Sequence, residues 1–223
     1  MQSFMPLYVF IPVFGFIVSL FFNRTQEKAI TNVALGTVGL HLLLVLFGVF
    51  TWLADDMATQ NLKYWQLFEH DGFRFILDFY FDYLTAVFAT VGAIVTFLVV
   101  LFSKFYMHRD EGFKRYFNSL LLFYIGFSFA IFAGNFETLF IGWEIFGFTS
   151  FLLIGFYRDR YLPVKNAFKV LSVYRLGDVS LILAMWMAHH VFHTNITFTE
   201  LAQANWLELF HVSVNSGSLL FIV

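Results

Sequence analysis

The sequence predicts an all-α polytopic membrane protein, and three observations support this prediction. Of the 223 residues, 60% are hydrophobic and only 13% are charged, too few charges for a soluble domain to cover its surface. The apolar residues gather in long runs, and each run approaches the ~20 residues that cross a bilayer as a helix. Short polar segments separate the runs, as expected of loops at the two membrane surfaces.

Six apolar runs predict six transmembrane helices, and a further run predicts the start of a seventh. The seventh run begins at about residue 216 and the sequence stops at Val223, short of the ~20 residues that span a membrane. We therefore expect residues 1–223 to be the N-terminal part of one transmembrane domain in a longer protein. The six predicted spans are residues 5–22, 30–53, 83–105, 116–133, 137–156 and 164–190.

The first two predicted helices each contain a residue that is unusual in a membrane span. Pro12 lies in the first helix, and a proline there is tolerated when neighbouring groups satisfy the carbonyl that it frees. His41 lies near the middle of the second helix. Two roles are open for His41: a packed core histidine, which is the commoner case, or a member of a proton path.

The longest segment without a spanning run, residues 54–82, predicts a small β-hairpin. Two β-prone stretches, Tyr64–Phe68 and Phe73–Tyr80, flank the segment Glu69-His70-Asp71-Gly72. Asp-Gly between such stretches is a strong signal for a hairpin turn. We expect an amphipathic hairpin at the membrane surface, with its acidic side chains on a solvated face.

The basic residues predict how the chain is oriented in the membrane. Most of them follow the first, third and fifth helices, whereas the opposite loops hold Lys63 and Arg74. Because Lys and Arg concentrate on the cytoplasmic side of membrane proteins, the N-terminus and the hairpin are expected outside. The residues on the predicted cytoplasmic side are Arg24, Lys28, Lys104, Arg109, Lys114, Arg115, Arg158, Arg160, Lys165 and Lys169.

Three ionisable residues inside the predicted spans form the candidate site. Glu144 is the one ionisable residue of the run Thr138–Phe156, and a charge near the bilayer centre costs at least ~2.5 kcal/mol. Arg175 and Asp178 lie in the next span at i, i+3 spacing, where they can pair on one helix face. Such residues are candidates for proton relays. The alternative is a protonated Glu144 that only bonds a neighbouring helix, beside a structural Arg175–Asp178 pair.

No motif for catalysis, a cofactor or a metal is present in the sequence. Without cysteines or a dinucleotide fingerprint, iron–sulfur, flavin and NADH sites are not expected on this chain. His189 and His193 are four residues apart, but no HExxH glutamate accompanies them, so we expect interfacial histidines rather than zinc ligands. No basic stripe predicts nucleic-acid binding.

Four segments of the chain resemble one protein family in order and spacing. They are Phe105–Phe117, Gly142-Trp143-Glu144, Leu152–Phe156 and Arg175-Leu176-Gly177-Asp178. These segments are similar to the antiporter-like proton-channel superfamily. Its members include the large membrane subunit 5 of respiratory complex I and Mrp-type cation/proton antiporter subunits. The resemblance extends from about residue 75 to residue 190.

The resemblance implies an antiporter-like bundle of about fourteen helices with a chain of buried charges at mid-membrane. Glu144 matches the family's fifth-helix glutamate of the proton path. Arg175 and Asp178 match the sixth-helix pair thought to couple to a neighbouring subunit. Lys169 and His41 are further candidates for the path. The family likeness implies protons, lipid and other subunits of a membrane complex as partners, with no cofactor and no metal on this chain.

The stretch from Val164 to Asp178 and the pair His189-His190 look more like one subgroup, the membrane subunit of two-component inorganic-carbon transporters (DabB-type). Its partner is a large soluble zinc protein. The likeness implies proton translocation that energises CO2 or bicarbonate uptake across a bacterial inner membrane. The alternatives are a proton-pumping subunit of NADH–quinone oxidoreductase and an Mrp-type Na+/H+ antiporter subunit. A non-conducting membrane anchor is the alternative from another class.

Overall fold

The computed structural model describes residues 5–70, 73–192 and 196–203, which form seven helices and one hairpin. The first helix packs against both the second and the fourth, and the hairpin lies between the second and third helices in the chain. The elements are α1 Met5–Leu20, α2 Glu27–Ala54, β1 Gln60–His70, β2 Phe73–Phe81, α3 Tyr83–Tyr106, α4 Phe113–Ile131, α5 Phe136–Ile154, α6 Tyr161–Phe192 and α7 Phe198–Gln203.

Each of the six predicted spans is helical in the structure, with ends that differ by a few residues. Four of them, α2, α3, α5 and α6, are long and apolar enough to cross a membrane, and α1 is a shorter apolar helix. The 32 residues of α6 span ~48 Å, more than the ~30 Å of a bilayer's hydrocarbon core. The predicted seventh run from about residue 216 lies outside the described residues.

The predicted hairpin is also confirmed, but the predicted exposure of its acidic side chains to solvent is wrong for Asp78. The strands pair antiparallel from Gln60 opposite Phe81 to His70 opposite Phe73, with two register shifts in β1. Phe79 and Phe81 are fully buried, and so is Asp78, which was expected on a solvated face. The expectation was wrong for Asp78 because β2 is covered by the turn between α4 and α5 as well as by β1.

Backbone hydrogen bonds hold β2 against that turn. The Tyr80 N–H donates to the Phe132 carbonyl at 2.8 Å, and the Gly134 N–H donates to the Asp78 carbonyl at 2.8 Å. Asn135 then caps α5, because its side-chain oxygen accepts from the Thr138 N–H at 2.9 Å. The hairpin therefore fixes the position at which α5 begins.

Small residues bring α4 and α5 into backbone contact. A Cβ added at Gly142 would lie 2.4 Å from the backbone nitrogen of Ala130, and one added at Gly126 would lie 2.6 Å from that of Phe146. Such small residues let membrane helices approach closely enough for backbone packing. The contact leaves the side chains that follow Gly142 to face the next helix, α6.

His41 compensates for a defect that Pro12 makes in α1. Pro12 has no N–H, so the carbonyl of Tyr8, four residues earlier, lacks its helical donor. The His41 Nε2–H donates to this carbonyl at 2.7 Å, and the Tyr124 hydroxyl lies 2.5 Å from His41 Nδ1. With Nε2 protonated, the neutral ring accepts the Tyr124 proton at Nδ1. Tyr8, His41 and Tyr124 are all buried, so their hydrogen bonds join α1, α2 and α4 in the apolar core.

A double-mutant cycle tests this compensation. We expect His41→Leu to lower the free energy of unfolding in mixed micelles by ~1–3 kcal/mol, because it orphans the Tyr8 carbonyl. The loss should shrink in a Pro12→Ala background, where the alanine supplies the missing N–H. Pro6→Ala is the matched control, since Pro6 lies in the first turn, where the N–H that alanine adds has no helical acceptor. An equal loss in all three backgrounds would show that Pro12 and His41 are not coupled.

Candidate functional site

The candidate site lies where the middle of α5 meets the middle of α6. Glu144 on α5 faces Arg175 on α6, and the guanidinium Nη1 donates to both carboxylate oxygens of Glu144, at 2.9 and 3.0 Å. The same nitrogen lies 3.2 Å from Oδ2 of Asp178, one turn further along α6. One cation is therefore shared by two acids that come from different helices.

Trp143 adds a fourth side chain to this group. Its indole Nε1–H donates to Oδ1 of Asp178 at 2.9 Å. The two oxygens of Asp178 thus have separate partners, an indole from α5 and a guanidinium from its own helix. Glu144, Arg175, Asp178 and Trp143 are called the tetrad below.

The members of the tetrad differ in how far they are covered. The side chain of Asp178 is 7% exposed, that of Glu144 is 27% exposed and that of Arg175 is 52% exposed. α6 packs mainly against α5, and the described chain leaves its opposite face open. Asp178 is therefore fixed inside the α5–α6 contact, whereas Arg175 and Glu144 are open to water, lipid or further protein on one side.

Contacts on both sides of α5 orient Trp143 and Glu144 toward α6. On one side the Gly142–Ala130 approach holds α5 against α4. On the other side a Cβ added at Gly147 would lie 3.5 Å from the Tyr174 ring, so α6 also comes close one turn after Glu144. The motif Gly142-Trp143-Glu144 has a physical basis here. The glycine permits packing on α4, and the two large residues that follow both reach α6.

Two of the predicted path residues lie away from the tetrad. Lys169 is exposed on α6, six residues before Arg175, which places it ~9 Å along the helix and ~120° around it. His41 uses both ring nitrogens in bonds to α1 and α4. These contacts fit the packed-core role for His41, which the sequence left open beside a proton path.

The i, i+3 spacing predicts the contact of Arg175 with Asp178, but two other contacts of the tetrad do not follow from local spacing. The bond from Arg175 to Glu144 joins residues 31 apart in sequence, and no local spacing reveals such a pair. Trp143 stands in the motif Gly142-Trp143-Glu144, which by itself gives the indole no separate role. An indole N–H next to an intramembrane acid was a usable signal, since a buried indole usually finds an acceptor.

Metal binding was not expected, and the described residues offer no new candidate. Within residues 5–70, 73–192 and 196–203, no three His, Asp or Glu side chains converge as ligands. His193, the other histidine of the His189/His193 pair, lies outside the described residues.

Comparison with known protein families accounts for most of the chain. Residues 65–117 match the family described as NADH-ubiquinone oxidoreductase (complex I), chain 5 N-terminus. Residues 133–223 match the family described as NADH:quinone oxidoreductase/Mrp antiporter, TM, and this segment contains the whole tetrad. The chain belongs to the superfamily of antiporter-like complex I subunits. It is an integral membrane protein.

Individual members of the superfamily are similar over much of the chain. NADH-quinone oxidoreductase subunit L of Escherichia coli (strain K12) is 29% identical over 206 residues, which cover 91% of this chain and 33% of that protein. NADH-ubiquinone oxidoreductase chain 5 of Hippopotamus amphibius is 35% identical over 161 residues, 68% of this chain and 27% of the relative. The chain spans between a quarter and a third of the length of these relatives.

A solved structure shares the fold. A chain of the membrane-bound sulfane sulfur reductase, an archaeal respiratory membrane complex, superposes with a TM-score of 0.71 at 17% sequence identity. The match covers 87% of this chain and 38% of that chain. At this identity the likeness concerns the helix arrangement alone.

The bond between Trp143 and Asp178 can be tested by a second cycle. We expect Trp143→Phe, which keeps an aromatic ring but removes the N–H, to lower the unfolding free energy by ~1.5–3 kcal/mol, as for hydrogen bonds to charged groups. In an Asp178→Leu background the same change should cost much less, because the acceptor is gone. Thermal unfolding of the purified protein in mild detergent would report both losses. If Trp143→Phe is equally costly with and without Asp178, the indole acts by packing alone.

Proposed function

We propose that this chain is part of a proton-translocating subunit of a multisubunit membrane complex, and that the tetrad lies on its proton path. The observation that carries the proposal is the sharing of one guanidinium by two carboxylates from neighbouring apolar helices. Ionisable groups inside membrane spans are costly, and they mark ion pathways and proton relays. The superfamily to which the chain belongs supports the same reading.

The shared guanidinium gives the proposed path two arrangements. With Glu144 ionised, Arg175 is held by both acids. When Glu144 takes up a proton, the attraction between Glu144 and Arg175 is lost, and Asp178 becomes the remaining carboxylate partner of Arg175. Trp143 keeps Asp178 in place during this exchange through its indole bond. A proton arriving at Glu144 thus lets the Arg175 charge move away from Glu144 and toward Asp178, and departure of the proton draws the charge back.

Movement of that charge is a means of coupling to a neighbouring helix or subunit. In a medium of low dielectric constant, the energy of two charges changes by several kcal/mol when their separation changes by a few Å. Arg175 is the most open member of the tetrad, so a helix packed on the free face of α6 would sense its position. His41, with both nitrogens engaged, is assigned a packing role in this scheme.

We further propose that the complex energises uptake of inorganic carbon with a soluble zinc partner. The support is the likeness of residues 164–178 and of His189-His190 to that subgroup. The competing function is proton pumping in an NADH–quinone oxidoreductase, which the names of the two relatives favour. An Mrp-type antiporter subunit is supported by the description of the second family.

Identification of the co-purifying proteins separates these couplings. One large soluble zinc protein would support the inorganic-carbon proposal. A set of NADH-oxidising and iron–sulfur subunits would support complex I, and a set of small hydrophobic antiporter subunits would support the Mrp type.

We also propose that the N-terminus lies outside a bacterial inner membrane, in keeping with the basic residues after α1, α3 and α5.

Neutralisation of Glu144 tests proton translocation directly. We expect Glu144→Gln, in the protein within its native complex, to lower proton flux into inverted membrane vesicles at least ~tenfold, because Gln cannot carry a proton. Gln keeps the size of the side chain and one acceptor for Arg175, so the amount of assembled complex should be unchanged. Asp159→Asn is the matched control, since Asp159 is an exposed acid in the loop between α5 and α6. Undiminished flux in Glu144→Gln at normal abundance would favour the membrane-anchor alternative.

A further inference from the structure

A polar cavity opens at the basic end of the helix bundle, away from the tetrad. Its volume is about 490 Å³, and it lies where the end of α1 meets the start of α4 and the end of α5. Four basic side chains and one acidic side chain line it: Arg24, Lys114, Arg115, Arg158 and Glu111. The lining therefore carries a net positive charge and suits an anion.

The four basic residues divide into two that hold the fold and two without partners in the described part of the chain. Lys114 donates to the carbonyls of Leu20 and Phe22 at the end of α1, at 3.0 and 2.6 Å. Arg115 donates to the Phe156 carbonyl after α5 at 3.0 Å. Among the described residues, by contrast, the side chains of Arg24 and Arg158 make no hydrogen bond or ion pair, so both charges remain for a ligand.

The deeper wall of the cavity is apolar. Phe16 of α1, Leu122 of α4 and Leu152 of α5 line it together, one from each of the three helices. Beside them lies Asn118, whose side-chain amide is 2.9 Å from the Ser19 hydroxyl. The cavity thus offers cations near the loops and a hydrocarbon surface further into the bundle.

We propose that this cavity binds an anionic phospholipid, with its phosphate between Arg24 and Arg158 and one acyl chain along the apolar wall. Basic pockets between transmembrane helices are sites for anionic lipid headgroups. A free phosphate ion would use the basic rim but gain nothing from Phe16, Leu122 and Leu152. The amphipathic lining therefore favours a lipid over inorganic phosphate.

Occupancy of the cavity would also support the tetrad. The lipid would bridge the ends of α1, α4 and α5, and α4 is the helix against which Gly142 places α5. Leu152 lies eight residues after Glu144, ~12 Å along α5. A lipid in this place holds the α4–α5 pair together without touching the ionisable residues of the tetrad.

Lipid titration of the purified, delipidated protein in its native complex tests the proposal. Native mass spectrometry would measure the binding of phosphatidylglycerol and of phosphatidylcholine with the same acyl chains. We expect tighter binding of phosphatidylglycerol. Arg24→Gln with Arg158→Gln should weaken it ~thirtyfold, about fivefold for each positive charge near the headgroup. Binding of phosphatidylcholine should change little.

The matched control removes two positive charges close by but outside the cavity. Lys28→Gln with Arg160→Gln should change phosphatidylglycerol binding less than ~threefold, because more distant exposed charges are screened. Thermal unfolding of both double variants checks that the fold survives, as expected for exposed side chains. Equal binding of the two lipids, or unchanged phosphatidylglycerol binding after loss of Arg24 and Arg158, would overturn the proposal. Displacement of the lipid by millimolar inorganic phosphate would assign the site to a free anion instead.

Discussion

The guanidinium of Arg175 is shared between Glu144 and Asp178, and this sharing places demands on the surrounding helices. A single Nη1 lies within 3.2 Å of carboxylates on two helices, so α5 and α6 must be held at a fixed depth relative to each other. Trp143 contributes to that alignment from α5 by bonding Asp178. A slip of one helix turn, ~5.4 Å, would break the bonds that Glu144 and Trp143 of α5 make to α6.

The packing of α5 against α4, and of the turn before α5 against the hairpin, holds α5 at the depth that the tetrad requires. Close approach at Gly142 fixes the rotation of α5 on α4, and the cap at Asn135 fixes the residue at which α5 begins. The hairpin contributes because β2 bonds the turn between α4 and α5. A polar group is also given a specific partner in α1, where His41 donates a hydrogen bond to the Tyr8 carbonyl that Pro12 leaves without a helical donor. In both places a polar group in an apolar surrounding is matched by a specific partner.

Much of the fold could be predicted from the sequence, because the bilayer imposes length and composition on each helix. Local signals were equally informative: Asp-Gly predicted the hairpin turn, and i, i+3 spacing predicted the contact of Arg175 with Asp178. Pro12 and His41 each stand out in the sequence as unusual in a membrane span, yet no local pattern joins residues 29 apart. The bond from Glu144 to Arg175 and the burial of Asp78 depend on which helices and strands become neighbours. Such tertiary contacts have no periodicity to read.

The sharing of Arg175 is tested most directly by measuring the cost of Arg175→Met in four backgrounds. These are the unmodified protein, Glu144→Gln, Asp178→Asn and both together, compared through the unfolding free energy in mixed micelles. We expect a cost of ~3 kcal/mol while either carboxylate remains, and a much smaller cost only when both are neutral. Lys169→Met on the same helix should cost little throughout. If Asp178→Asn alone abolishes the cost, Arg175 pairs with Asp178 only, and the bond to Glu144 contributes nothing.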